Sequence, residues 1–105
     1  MTAGPALRHL VLLRFHPEAS ASAIAAVERD FVALRTRIDG IQSIEWGTNV
    51  SPEGLAKGCT HAFMLTFGDA AARDAYLPHP AHQAFVAAMK PLIADVLVID
   101  YLAAF

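Results

Sequence analysis

The chain has 105 residues, 55% of them hydrophobic and 17% charged, with a formal net charge of -2 at pH 7. This describes one domain with a single core and more apolar surface than a small free-standing monomer hides, so part of it is expected to meet a partner. The mild negative charge and scattered Lys and Arg argue against nucleic acid or an anionic membrane as that partner. No apolar run approaches the ~20 residues that span a bilayer.

Cys59 is the only cysteine. It rules out an internal disulfide, suits a reducing cytosol and reads as a small core residue ahead of a strand. Leu10 to Leu13 is too short for a signal-peptide core, and Arg14 ends it. A soluble cytoplasmic protein is expected.

Residues Met1 to Ala6 read as a disordered lead-in, and 7–105 as one domain. Arg8 to Phe15 is a strand with His9, Val11, Leu13 and Phe15 on one face and Leu10 and Leu12 on the other. After His16-Pro17-Glu18, Ser20 or Ser22 can cap a helix by accepting a bond from a free backbone N–H. Ile24, Val27, Phe31, Leu34 and Ile38 form its apolar stripe, Glu28 falls on the flanks or opposite side, and Gly40 ends it. Ile41 to Val50 is a second strand. Ile44, Trp46, Thr48 and Val50 share one face of it, Trp46 acts as a core or interface anchor, and Gly47 marks a bulge or close approach. A polar loop, 51–58, leads to a third strand, Cys59 to Phe67. His61, Phe63, Leu65 and Phe67 share a face there, while Thr60, Ala62, Met64 and Thr66 take the other. Asp69 caps a short helix running from Ala70 to Leu77. A further helix runs from Ala81 to Met89 and buries Phe85 and Met89. Val96 to Ala103 is the last strand, with Val96, Val98, Asp100 and Leu102 opposite Leu97, Ile99, Tyr101 and Ala103.

The order βαββαβ is the ferredoxin-like α+β arrangement, a four-stranded antiparallel sheet with its helices on one face. The other face would carry Leu10, Leu12, Ala62, Met64, Leu97 and Ile99, too apolar for water. A homodimer through that face, two sheets closing a barrel about a two-fold axis, is therefore expected.

The chemistry concentrates in Tyr76-Leu-Pro-His79-Pro-Ala-His82-Gln-Ala-Phe85. Pro78 and Pro80 stop a helix near Leu77, and proline suits the first turn of a new one. Tyr76 and His82 are candidates for a proton-transfer pair, since phenol and imidazole can polarise one substrate between them. The alternative is a turn capped by the same rings. His9 and His61 share faces with apolar groups that point toward the helices, so four rings are expected to meet in one pocket, beside Phe31, Phe63 and Phe85. A small hydrophobic or aromatic ligand would suit that pocket. His79 and His82, at i and i+3, could bind one ion, but no Cys or Asp/Glu completes the set. A haem would need one of these rings as axial ligand in a larger pocket. Neither metal nor cofactor is expected.

His9-Leu-Val-Leu, Trp46-Gly47, Thr60-His61, Tyr76-x-x-His79-Pro80-x-His82 and Asp100-Tyr101 together resemble the stress-responsive dimeric α+β barrel (Dabb) family over nearly the whole chain. The resemblance implies a ferredoxin-like homodimer closed into a barrel. Within the family it is to the polyketide-cyclase type, which implies His82 as general base and Tyr76 as its partner at the carbonyl in an intramolecular aldol closure. His9, Val11, Phe31, His61, Phe63, His79 and Phe85 would then line the ligand site. Glu28, Phe31 and Ile93 depart from that type, where two aromatic residues and a tryptophan lie along the cavity, and imply a reshaped chamber.

Overall fold

The computed structural model describes residues 4–105, so Met1, Thr2 and Ala3 of the expected lead-in lie outside the described residues. The elements are β1 (Leu7–Phe15), α1 (Ala21–Arg37), β2 (Ile41–Thr48), β3 (His61–Phe67), α2 (Ala70–Tyr76), α3 (Pro80–Met89) and β4 (Ile93–Leu102), with a 3-10 turn at Lys90–Leu92. The four strands form one antiparallel sheet in the order β2-β3-β1-β4. This is the ferredoxin-like α+β arrangement, with the second helix broken in two.

Alternation decides the sheet faces. In β1 Leu7, His9, Val11 and Leu13 are buried, while Arg8, Leu10 and Leu12 between them are only half-buried. The register carries this inward set across the sheet: His9 lies opposite Leu65 and Asp100, Val11 opposite Phe63 and Val98, and Leu13 opposite His61 and Val96. Ser20 caps α1 by accepting from the Ala23 N–H at 3.1 Å. The stripe Val27, Phe31 and Leu34, continued by Ile38, is buried against the sheet. The helix already ends at Arg37, where Ile38 turns extended. Gly40, at φ +97°, instead makes the turn into β2, a left-handed backbone open to glycine; a Cβ there would also meet the Ala72 Cβ at 3.4 Å.

Both edge strands depart from expectation. In β2 the bulge falls between Ile41 and Ser43 rather than at Gly47, where a Cβ would meet nothing within 4 Å. Trp46 is 40% exposed, not a core anchor, because nothing flanks an edge strand on its outer side. β4 starts at Ile93 and is half-exposed on both faces: Val96 and Val98 on the helix side at 48% and 51%, Leu97 and Ile99 on the other at 49% and 48%. The cause is lateral offset. α1 and α2 lie against β2 and β3, leaving β4 beyond the helical layer. Met89, expected to be buried, is only half-buried at that same margin. Among the described residues no helix is long and apolar enough to cross a membrane.

Candidate active site

The helix break follows from the two prolines. In a continuous helix the Tyr76 carbonyl would accept from residue 80, but Pro80 has no N–H, and the His79 N–H serves it instead at 3.1 Å. The Leu77 carbonyl would accept from Ala81. That N–H turns to the Nδ1 of His79, which caps α3 at 3.0 Å. The orphaned Leu77 carbonyl is taken over by two side chains, His82 Nδ1–H at 2.8 Å and Gln83 Nε2–H at 2.9 Å. A carbonyl only accepts, so the neutral His82 ring carries its proton on Nδ1 and leaves a lone pair on Nε2. Burial holds the His82 pKa below the usual imidazole value. The Leu77 bond works against that shift, and the nearby His9 and His79 add to it.

The Tyr76 ring lies 4.2 Å from that of His82, centroid to centroid. Tyr76 is 1% exposed, and its hydroxyl is buried with no hydrogen-bond partner among the described residues. Buried polar groups are nearly always paired, so an orphan hydroxyl calls for an explanation. Burial also pushes the phenol pKa well above its ordinary value, so this hydroxyl stays a donor. Both rings open on a cavity of about 260 Å³ between β1, β4, α1 and α3, walled by Val11, Phe31, Phe85, Val86 and Met89. Half-exposed Val96 and Val98 on β4 form its mouth. Phe31 closes the back, stacked on Phe63 at 4.3 Å and against Phe85 at 4.7 Å.

His9 is the third polar ring on this cavity, edge-on to Tyr76 at 5.7 Å. It faces Asp100 directly across the β1–β4 pair, and its Nδ1–H donates to Asp100 Oδ1 at 2.6 Å. Arg73 of α2 donates from Nη1 to the other oxygen at 2.9 Å. Asp100 was legible as an acidic group at an inward-facing position of β4. Nothing local in the sequence singled out Arg73.

The expected meeting of four rings does not occur. His61 pairs with Leu13 of β1, two inward positions along from His9, and the phenylalanine stack stands between them. Its Nε2 meets Glu28 Oε2 at 2.8 Å and its Nδ1 meets Thr60 Oγ1 at 2.7 Å. Trp46 covers its face at 5.8 Å, and Phe15 stands edge-on at 5.1 Å. His61 is thus a satisfied core histidine. Glu28 lies on the flank of α1 rather than its far side, four residues after Ile24 and three before Phe31, at the margin of the apolar stripe. Phe63 lies behind Phe31 and His79 is spent on the α3 cap, so neither lines the cavity, whereas His9, Val11, Phe31, Tyr76, His82 and Phe85 do. Among the described residues no three His, Cys, Asp or Glu side chains gather to hold an ion.

Residues 7–103 match the family described as the stress responsive A/B barrel domain. A stress-response A/B barrel domain-containing protein of Arabidopsis thaliana is 35% identical over 98 residues, covering 93% of this chain and 89% of that protein. Olivetolic acid cyclase of Cannabis sativa is 27% identical over 96 residues, 91% of this chain and 95% of the cyclase. Among solved structures, the hydroxynitrile lyase of Passiflora edulis matches with a TM-score of 0.91 at 25% identity, over 96% of this chain and 95% of that one. A dimeric ferredoxin-like protein from Jannaschia sp. CCS1 matches with a TM-score of 0.81 at 27% identity, over 93% and 99%. With a match running from the first strand through the last, this chain belongs to the stress-responsive A/B barrel (Dabb) family.

Proposed function

We propose that each protomer holds a small, largely apolar carbonyl compound in the Tyr76–His82 chamber and removes an acidic proton from it. One observation carries this reading: a buried phenol hydroxyl with no partner among the described residues stands beside an imidazole whose Nδ1 proton is already committed. A substrate carbonyl would give Tyr76 the acceptor it lacks. His82 Nε2 would take a proton from the carbon between two carbonyls, and Tyr76 would hold the oxygen on which charge develops. In a poly-β-keto chain the enolate carbon then attacks a second carbonyl of the same molecule and closes a ring. The kinship with olivetolic acid cyclase supports that substrate class.

The working unit in this reading is residues 7–105, as a homodimer in a reducing cytoplasm. Leu10, Leu12, Ala62 and Met64, with half-exposed Leu97 and Ile99, form a sheet face that no helix among the described residues covers. A second copy would cover it and close the barrel, as the dimeric ferredoxin-like relatives suggest.

The test is turnover of a triketide or tetraketide β-keto thioester, followed by chromatography, in the wild-type protein, His82→Ala and Tyr76→Phe. Each variant should lose at least about 100-fold in rate, the usual contribution of a positioned acid or base. An aromatic hydroxynitrile belongs in the same assay, because its hydroxyl proton could go to the same base and the hydroxynitrile lyase shares this fold. If the wild-type protein turns over neither compound and His82→Ala only lowers the melting temperature, the rings are helix caps and the chain is a non-catalytic dimerisation module.

A further inference from the structure

We propose that His9 is the chamber's second proton carrier and that Asp100 and Arg73 are the residues that position it. This rests on the reading of the chamber given above, and it adds three residues which proton abstraction by His82 leaves unused.

His9 is 5% exposed, and its ring lies on the cavity wall beside Tyr76. Its Nδ1 is committed to Asp100 at 2.6 Å, so the nitrogen left for a ligand is Nε2. A short imidazole–carboxylate bond fixes ring orientation and supports the charged ring when it forms. Asp100 is itself held. Its second oxygen accepts from Arg73, and both side chains are 23% exposed, at the boundary between core and solvent. Arg73 and Tyr76 are three residues apart on α2 and so share a helix face. The clamp therefore ties the helix that carries the phenol to the strand that forms the mouth of the cavity. A plain structural pair would need only Asp100. The third member links His9 and Tyr76 into one frame.

Ring closure gives His9 its task. His82 Nε2 takes the carbon-bound proton, and the electron pair of that C–H bond forms the enolate. The enolate carbon bonds to the second carbonyl carbon, whose π pair moves onto its oxygen as an alkoxide. His9, protonated on both nitrogens, passes its Nε2 proton to that alkoxide and returns to the neutral ring with Nδ1–H still on Asp100. His82 then carries one proton more and His9 one fewer, and solvent at the mouth restores both.

The test uses 4-nitrophenol, a planar oxygen acid whose spectrum separates bound phenol from bound phenolate. Titrated at a pH where the free compound is mostly phenol, the wild-type protein should bind it as phenolate. His9→Gln and Asp100→Asn should bind it roughly tenfold more weakly and as phenol, the loss expected for one charge-assisted donor. Arg73→Gln, which leaves the buried pair in place, should fall between, and Arg73→Lys should recover the wild-type spectrum. Wild-type spectra and affinity in His9→Gln and Asp100→Asn, alongside weakened binding in Tyr76→Phe, would overturn the role of His9 and leave the Tyr76–His82 reading standing. Unchanged binding in Tyr76→Phe, or no binding by the wild-type protein, would overturn that reading and this inference with it.

Discussion

Removing one oxygen atom, Tyr76→Phe, should make the protein more stable and less able. The ring is packed against Phe67 at 5.2 Å, His9 at 5.7 Å and His82 at 4.2 Å, and a phenylalanine ring keeps all three contacts. What disappears is a buried hydroxyl with no partner, a feature that destabilises a fold by roughly 1–3 kcal/mol. Taking the lower part of that range, stability should rise by about 1 kcal/mol, a melting-temperature gain of about 4–8 °C for a domain of this size. The sign reverses what deleting a hydrogen bond does. The same residue gives an alkaline signature. Because burial raises the phenol pKa, the unfolded chain loses this proton near pH 10 while the folded one keeps it. Stability is fully present below about pH 10 and falls as pH rises toward the folded value, by about 1.4 kcal/mol per unit. Tyr76→Phe should remove that part of the decline. The assay is thermal unfolding of both proteins at equal concentration from pH 7 to 11, since assembly couples melting to concentration. A melting temperature several degrees lower in Tyr76→Phe would show that the hydroxyl is satisfied, and the argument from the orphan would fail.

His82, held neutral by burial, should put the acid limb of any turnover profile below the ordinary imidazole value of about 6.5. Its stability contribution is complete above that pH and is lost as pH falls toward the folded pKa, because the unfolded chain binds the proton first; His82→Gln should flatten this limb in a pH series of melts. Glu28→Ala removes a partner of buried His61 and should cost about 1–3 kcal/mol of stability in chemical denaturation, with binding in the chamber unchanged. Phe31→Ala takes the back wall from the cavity; it should cost about 3–5 kcal/mol and shift binding toward bulkier ligands, read by titration with a homologous series. Ile99→Glu, on the uncovered face of β4, should halve the particle mass in analytical ultracentrifugation while circular dichroism stays the same.

Period-2 alternation was enough to place His9 and His61 on the helix-facing side of the sheet, and both are there. It could not say that they sit at different ends of it. That depends on register, Leu13 opposite His61 and Leu65 opposite His9, which no single strand encodes. The α2–α3 break was legible because Pro78 and Pro80 forbid specific backbone bonds. What the freed groups would choose was not, so His79 was expected in the chamber but spends its Nδ1 on a helix cap. Edge effects escaped the pattern for the same reason: Trp46, Val96 and Val98 each share a strand face with apolar neighbours, yet each stands half-exposed on an edge strand. Asp100 and Glu28 were within reach. Asp100 is a carboxylate at an inward-facing position of β4 and Glu28 one beside the apolar stripe of α1, and each supports a buried histidine.

The account depends most on the state of the His82 ring. Long-range proton–nitrogen NMR of the ring, followed from pH 8 downward, reads it directly. The prediction is a neutral ring protonated on Nδ1, with bare Nε2, persisting below pH 6.5 and changing sharply when 4-nitrophenol enters the chamber. A ring protonated on Nε2, or one already doubly protonated at neutral pH, would leave no base in the chamber and would contradict the account.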